Sequence, residues 1–148
     1  MFELLYASTA IIKFKRDNLF QLLAAARSKN KRLDITGMLI YSNGYFAQLL
    51  EGEEAAVRKL YETICNDHRH KNIKKFYEGP IDKRFFTEWT MGFRVLEGNG
   101  DLNQIPGFEN LKVGEQLIDT IVQDPSKGRE LFICMREFLM SDPEGDRL

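Results

Sequence analysis

The pair Asn43-Gly44, between two apolar arms, is the feature that most constrains this chain. The arm before it reads ITGMLIYS and the arm after it reads YFAQLLEG. Asn and Gly accept the positive φ angles of a two-residue type I′ turn, so the stretch predicts a β-hairpin. A hairpin fixes two neighbouring antiparallel strands, and the flanking segments must supply the rest of the sheet.

Helix patterns lie on both sides of this hairpin. The first begins at Asp17, its predicted N-cap, and ends in ARSKNKRLD; the second covers residues 53–67, EEAAVRKLYETICND. In both, apolar residues recur three and four positions apart, which gives each helix one stripe to bury. Each helix is therefore expected to cross over the sheet between two strands.

Three more strands complete the predicted sheet. They are FELLYAS near the N-terminus, then IKKFYEGPI and WTMGFRVL after the second helix. The resulting order βαββαββ, with a hairpin between two crossover helices, predicts an α+β fold with a ferredoxin-like sheet. Both helices are expected on one face of that sheet.

The other face of the sheet also needs a cover. Leu5, Ala7, Ala47 and Leu49 point away from the predicted helix face and are all apolar. After a loop-like stretch from residue 97, helices are predicted at 115–123 and 126–140, with Asp124-Pro125 either breaking the pattern or capping the second helix. We expect this pair to cap the second face, which divides the chain into residues 1–96 and a cap of residues 97–148 within one globular unit.

Composition limits the function classes. The 148 residues suit one domain, with 43% hydrophobic and 29% charged residues, and the net charge of −1 gives no electrostatic case for nucleic acid or an anionic membrane. Neither a basic leader nor an apolar run of about 20 residues is visible, so no signal peptide or membrane span is expected. Cys65 and Cys134 form no CxxC motif, which favours a reducing, cytoplasmic setting.

Gln48 raises a specific question, because it lies between Phe46 and Leu50 on one face of its strand. An unpartnered buried amide costs about 1–3 kcal/mol. Tyr6 is expected on the same face of the neighbouring strand, and the first helix ends nearby in Lys29-Asn30. This convergence fits a ligand cleft. It equally fits a hydrogen bond in which Tyr6 and Gln48 are each other's partner and no ligand is needed.

Several segments together resemble the BLUF family of flavin-binding blue-light sensors. They are LLYAS, ARSKN, ITGMLIYSNGYFAQLLEG, NDHRH and WTMGF, which cover about the first 95 residues in order. The resemblance implies a non-covalently bound flavin, usually FAD, although FMN and riboflavin would share the same ring contacts. It also implies a photoreceptor that is not an enzyme.

The resemblance assigns roles to individual residues. Tyr6 would donate an electron to the excited flavin, Gln48 would lie between that tyrosine and the flavin, and Asn30 would bind the flavin ring edge. Trp89 and Met91 would match the tryptophan and methionine near the fifth strand that change the environment in the light state. Further flavin contacts would come from Lys29, Phe46, Ile64, Asp67, Arg69 and His70. Two positions depart from the family: many relatives carry His or Asn at Lys29 and Ser at Ala26.

The sequence offers weaker signals for other functions. His68 and His70 in a cation-rich stretch make a poor metal site. A small flavin reductase or an acylphosphatase-like hydrolase is disfavoured by the lack of a dinucleotide fingerprint and of an activated nucleophile, and a ligand-sensing module without photochemistry stays open. We expect no fused output enzyme after residue 96, so the signal would pass to an effector protein or through homo-oligomer assembly.

Overall fold

The computed structural model describes residues 1–12, 14–87, 90–95, 119–121 and 123–141. In chain order its elements are β1 (Phe2–Ala10), α1 (Arg16–Leu33), β2 (Thr36–Ser42), β3 (Tyr45–Gly52), α2 (Glu54–Cys65), β4 (His70–Pro80), β5 (Gly92–Val95) and α3 (Pro125–Ser141). Residues 119–121 and 123 are helical as well. The predicted βαββαββ order is confirmed.

The sheet has the strand order β4-β1-β3-β2-β5. Neighbours pair antiparallel except β2 and β5, which are parallel. The β2–β3 hairpin turns at Asn43 and Gly44, whose φ angles of 46° and 88° are the positive values that the sequence predicted. The α+β, ferredoxin-like class is confirmed.

Two apolar layers bury the two faces of the sheet. On one face, Tyr6, Phe46 and Leu50 pack with residues of α1 and α2 such as Leu23 and Leu60. On the other face the buried cluster consists of Leu5, Ala7, Met38, Ile40, Ala47, Leu49, Phe86, Ile121, Leu131 and Phe132. The second face is therefore covered by α3 and by Ile121, which belongs to the described part of the first predicted cap helix.

The approach of α3 to the sheet is close at Gly128. A Cβ atom at this position would lie 2.8 Å from Leu5 Cδ2 and 2.8 Å from Ile121 Cγ2, so a larger residue would push the helix away. Asp124 caps the helix, since its Oδ1 accepts the backbone N–H of Ser126 at 3.2 Å. Of the two interpretations of Asp124-Pro125, the cap followed by a first-turn proline is confirmed.

Some predicted boundaries were wrong. Asp17 is not the N-cap of α1, which begins at Arg16 with Lys15 as its N-cap. The cause is Asn18, whose Oδ1 accepts the Lys15 backbone N–H at 3.3 Å and places the N-cap two residues earlier than predicted. The strand β4 begins at His70 rather than Ile73, and β5 begins at Gly92, where its pairing with Met38 of β2 starts.

Parts of the predicted C-terminal segment, including residues 97–118, lie outside the described residues. The division into residues 1–96 and 97–148 stays a prediction. In the part of the chain that the structure describes, no helix combines the length and the apolar character needed to span a membrane.

Candidate functional site

Tyr6 and Gln48 lie directly opposite each other in the β1–β3 ladder. Both side chains are buried on the face that α1 and α2 cover. The Tyr6 hydroxyl donates a hydrogen bond to Gln48 Oε1. The polar partner that the sequence required for this buried amide is therefore the tyrosine on the next strand.

The other end of the Gln48 amide points to Met91. Gln48 Nε2 donates to Met91 Sδ at 3.3 Å, and Met91 is only 1% exposed. A thioether sulfur is a weak acceptor. The amide is thus fixed at its oxygen by a phenol and held more loosely at its nitrogen, where a carbonyl oxygen would be a better partner.

Beside this pair, a cavity of about 220 Å³ lies between the sheet and the two helices. It is lined by all nine residues that the resemblance assigned to flavin contact, namely Tyr6, Lys29, Asn30, Phe46, Gln48, Ile64, Asp67, Arg69 and His70. The sequence left open a ligand cleft and a self-satisfied Tyr–Gln pair. The structure contains both, because the hydrogen-bonded pair forms part of the cavity wall.

Apolar and small side chains that the sequence analysis did not assign to the site complete this wall. They are Phe14, Leu22, Ala25, Ala26, Leu39, Leu60 and Thr63. The helical spacing of Leu22, Ala26 and Lys29 could have indicated the α1 members. Phe14 precedes α1 and gave no such signal; its ring packs edge-on against Phe46, with centroids 5.3 Å apart.

Next to the cavity, α1 contacts the segment before β5. Asn30 is 2% exposed, and its Nδ2 donates to the carbonyl oxygen of Thr90 at 2.9 Å. One turn earlier, Arg27 Nε donates to the carbonyl oxygen of Met91 at 2.9 Å. Asn30 therefore faces the cavity while one of its amide hydrogens already holds the backbone.

Asp67 and Arg69 form an ion pair at the mouth of the cavity. Arg69 Nη2 lies 2.5 Å from Asp67 Oδ2, and the backbone N–H of Arg69 donates to Asp67 Oδ1 at 3.0 Å. The side-chain hydrogen bonds from Arg69 are the main cause that lowers the pKa of Asp67 to about 2. The mouth thus carries a carboxylate and a guanidinium that are already paired.

His70 is part of the cavity wall and bonds two other segments. Its Nε2 lies 2.6 Å from the carbonyl oxygen of Ile64, and its Nδ1 lies 2.7 Å from Ser8 Oγ. A carbonyl can only accept, so Nε2 carries a hydrogen, and in the neutral ring Nδ1 accepts from the serine hydroxyl. Both ring nitrogens are occupied, and no cluster suited to a metal ion occurs among the described residues.

The surroundings of Tyr6 keep its phenol protonated. Burial is the largest cause that raises the pKa of Tyr6, and nearby Tyr61, Cys65 and Asp67 add to it. The Tyr61 ring lies beside it, with centroids 5.6 Å apart. Tyr6 is therefore a neutral hydrogen-bond donor with its acceptor, Gln48, already in place.

Of the two residues expected to respond to light, Met91 lies at the site, whereas Trp89 lies outside the described residues. The position of Trp89 stays a prediction.

The donor set of the cavity fits a flavin. Aromatic and aliphatic walls suit a flat ring, and the Asn30 and Gln48 amides can serve its polar edge as donors and acceptors. The volume of about 220 Å³ lies below the roughly 300–1,000 Å³ of pockets that enclose a whole drug-sized ligand. It therefore suits a ring system better than a whole dinucleotide.

Comparison with known proteins gives a consistent result. The profile of the BLUF family, described as sensors of blue-light using FAD, matches residues 1–92. Photoactivated adenylate cyclase subunit beta of Euglena longa is 38% identical over 89 residues, which are 60% of this chain and 10% of that protein. A blue light- and temperature-regulated antirepressor of Escherichia coli is 42% identical over 53 residues, 36% of this chain and 13% of that protein.

The structure of BlrB, a BLUF protein in its dark state, is similar over 90% of this chain and 93% of its own chain, with a TM-score of 0.73 and 28% identity. This chain thus matches only about a tenth of the length of the adenylate cyclase and of the antirepressor. It matches nearly the whole length of the BlrB chain.

Proposed function

This chain belongs to the BLUF family of sensors of blue light using FAD, and from that premise we propose that it is a photoreceptor with FAD held non-covalently in the cavity between the sheet and the helices α1 and α2. The observation that carries the proposal is the hydrogen bond from Tyr6 to Gln48 in the wall of a cavity lined by amides and aromatic rings. FAD is proposed over FMN and riboflavin on the family's description, since the ring contacts do not distinguish them.

In this proposal Tyr6, Gln48 and Asn30 hold the ring, and Lys29, Asp67 and Arg69 lie at its polar end. A bound flavin supplies blue-light absorption and, once excited, a strong one-electron oxidant. The Tyr6 phenol can release an electron and pass its proton to Gln48 Oε1 along the existing bond. Rotation or tautomerisation of the Gln48 amide then exchanges its donor and acceptor ends and breaks the bond to Met91.

An amide suits this position because it is neutral and can both donate and accept. Leucine would offer neither function, and a carboxylate would bring a charge into a buried site. No net redox product results when the proton and electron return to Tyr6. We therefore propose a switch and not an enzyme, with the signal in the changed hydrogen bonds of Gln48.

The output is proposed to leave through the second face of the sheet and α3, either to an effector protein or through a homo-oligomer. Support comes from the single layer of strands that separates Gln48 from the opposite face, where Leu49 of β3 packs in one cluster with Leu131 of α3. Both cysteines are free thiols, which suits the proposed cytoplasmic setting. The net charge of −1 supports partners other than nucleic acid or membrane.

The absorption spectrum of the purified protein tests this function. We expect a flavin spectrum in the dark, a red shift under blue light, and full return in the dark with no added reductant. A protein that holds no flavin when supplied with it would contradict the proposal. So would a flavin that bleaches only with a nicotinamide donor, which would indicate a reductase.

A further inference from the structure

The two backbone carbonyls just before β5 are held by α1. The pairing between β2 and β5 begins at Gly92, so the carbonyl groups of Thr90 and Met91 precede the described ladder. Buried backbone carbonyls need hydrogen-bond donors. Asn30 Nδ2 supplies one to Thr90 and Arg27 Nε supplies one to Met91, each at 2.9 Å.

The two donors form a matched set. Arg27 and Asn30 are three positions apart, so both project from the same side of α1. Arg27 is half-buried, and this burial lowers the pKa of its guanidinium. The hydrogen bond that the structure describes for this group goes to a neutral carbonyl, where a charged donor binds more strongly than a neutral one.

This contact controls the second partner of Gln48. Met91 Sδ lies 3.3 Å from Gln48 Nε2, so the position of the Met91 backbone decides whether its sulfur reaches the amide. We propose that Arg27 is a positioning residue which, together with Asn30, fixes the backbone of residues 90–91 to α1 and so keeps Met91 against Gln48. The relevance of this contact to light sensing rests on the proposed function, whereas the contact between Arg27 and Met91 is independent of it.

The decisive measurement is the NMR signal of the Met91 methyl group, in protein labelled with ¹³C at methionine methyls and free of flavin. Arg27→Ala is expected to shift or broaden this signal, and Arg27→Lys is expected to restore it in part, because an ammonium can also donate to the Met91 carbonyl. Arg27→Leu, which removes the donor but keeps an apolar stem, serves as the second variant if Arg27→Ala does not fold. Met91→Leu assigns the signal.

Two controls separate positioning from general stability. Met38 is fully buried on the opposite face of the sheet, so its methyl signal is expected to stay in place in every Arg27 variant. Arg32→Ala changes an exposed arginine on the same helix and is expected to leave Met91 unchanged. Unchanged Met91 signals in Arg27→Ala or Arg27→Leu would overturn the proposal, and so would equal changes at Met38 and Met91.

Flavin-loaded protein gives a second readout. The contact of Arg27 with the Met91 carbonyl stabilises the arrangement to which the protein returns in the dark. Arg27→Ala is therefore expected to slow dark recovery roughly tenfold, which corresponds to the loss of one charged hydrogen bond. The size of the red shift is expected to stay the same. Dark recovery of Arg27→Ala at the wild-type rate would contradict the positioning role of Arg27. The absence of any red shift in the wild-type protein would instead contradict the proposed function. The methyl signals would still test the role of Arg27 in that case.

Discussion

Glu3 on β1 and Arg129 on α3 form an ion pair, with Arg129 Nε 2.6 Å from Glu3 Oε1. Glu3 is fully buried, and its Oε2 has no hydrogen-bond partner in the described part of the chain. Its direct neighbour across the ladder is another buried carboxylate, Glu51, which accepts the backbone N–H groups of Phe85 and Phe86. Arg129 is thus the cation that offsets the charge of Glu3 and ties α3 to the sheet.

Replacing Arg129 is therefore expected to destabilise the fold. Arg129→Met leaves Glu3 buried without its cation, so the free energy of unfolding is expected to fall by about 2–4 kcal/mol, measured by urea denaturation. Arg136→Met, on the same helix, is the control and is expected to change it by less than about 0.5 kcal/mol. Adding Glu3→Gln to Arg129→Met removes the unpaired charge and is expected to recover part of the loss. Equal effects of the two arginine variants would show that the ion pair contributes nothing.

The photoswitch is expected to need both Tyr6 and Gln48. Tyr6→Phe and Gln48→Leu remove the donor and the relay of the described hydrogen bond, so each variant is expected to retain flavin and lose the reversible red shift. Absorption spectra in the dark and under blue light measure this. Tyr77→Phe, at an exposed tyrosine of β4, is expected to switch normally. A full shift in either site variant would refute the assigned roles.

Asn30→Ala is expected to weaken flavin binding. One or two hydrogen bonds to the ring edge would be lost, at about 0.5–1.5 kcal/mol each, which gives a few-fold to roughly hundredfold rise in Kd. A fluorescence titration of the apoprotein with flavin measures the change. The matched control is Asn66→Ala, because the Asn66 amide caps α2 by donating to the Glu62 carbonyl. If affinity is the same in both variants, Asn30 serves only to hold Thr90.

The Asp67–Arg69 pair predicts a pH dependence. The pKa of Asp67 is lowered to about 2 in the folded protein, below its ordinary value of 3.8. Its contribution to stability is therefore fully present above about pH 4 and is lost as the pH falls through about 2. The carboxyl ¹³C signal of Asp67 is expected to titrate near pH 2, and Arg69→Gln is expected to move the midpoint upwards. A wild-type midpoint near 4 would mean that the pair does not persist in solution.

Light is expected to change how strongly the backbone amides of the C-terminal segment are protected from hydrogen exchange. One altered hydrogen bond supplies about 1 kcal/mol, enough for several-fold changes in an opening equilibrium but not for unfolding. Hydrogen exchange of amides in residues 97–140, compared in the dark and under blue light, measures this. Identical exchange in a protein whose spectrum switches fully would rule out the route through α3.

Local physical chemistry allowed much of this protein to be predicted from its sequence. The φ angles that Asn43 and Gly44 accept determined the hairpin, and the alternation of side chains along β1 and β3 placed Tyr6 and Gln48 on one face. The apolar residues on both faces of these strands, such as Leu5 and Leu50, required helices on both sides of the sheet. The nine expected flavin contacts came from resemblance, and the structure brings all of them to one cavity.

Only the tertiary structure decided how distant segments meet. Arg27 reaches the carbonyl of Met91 across 64 positions, and Arg129 reaches Glu3 across 126. His70 bonds Ser8 across 62 positions, a contact that could not be predicted from the sequence. Such contacts depend on helix position and strand register to within about an ångström, because hydrogen bonds weaken steeply with distance and angle. Hydrophobic periodicity determines which face of an element is buried, but it does not determine which polar groups face each other once the layers have packed.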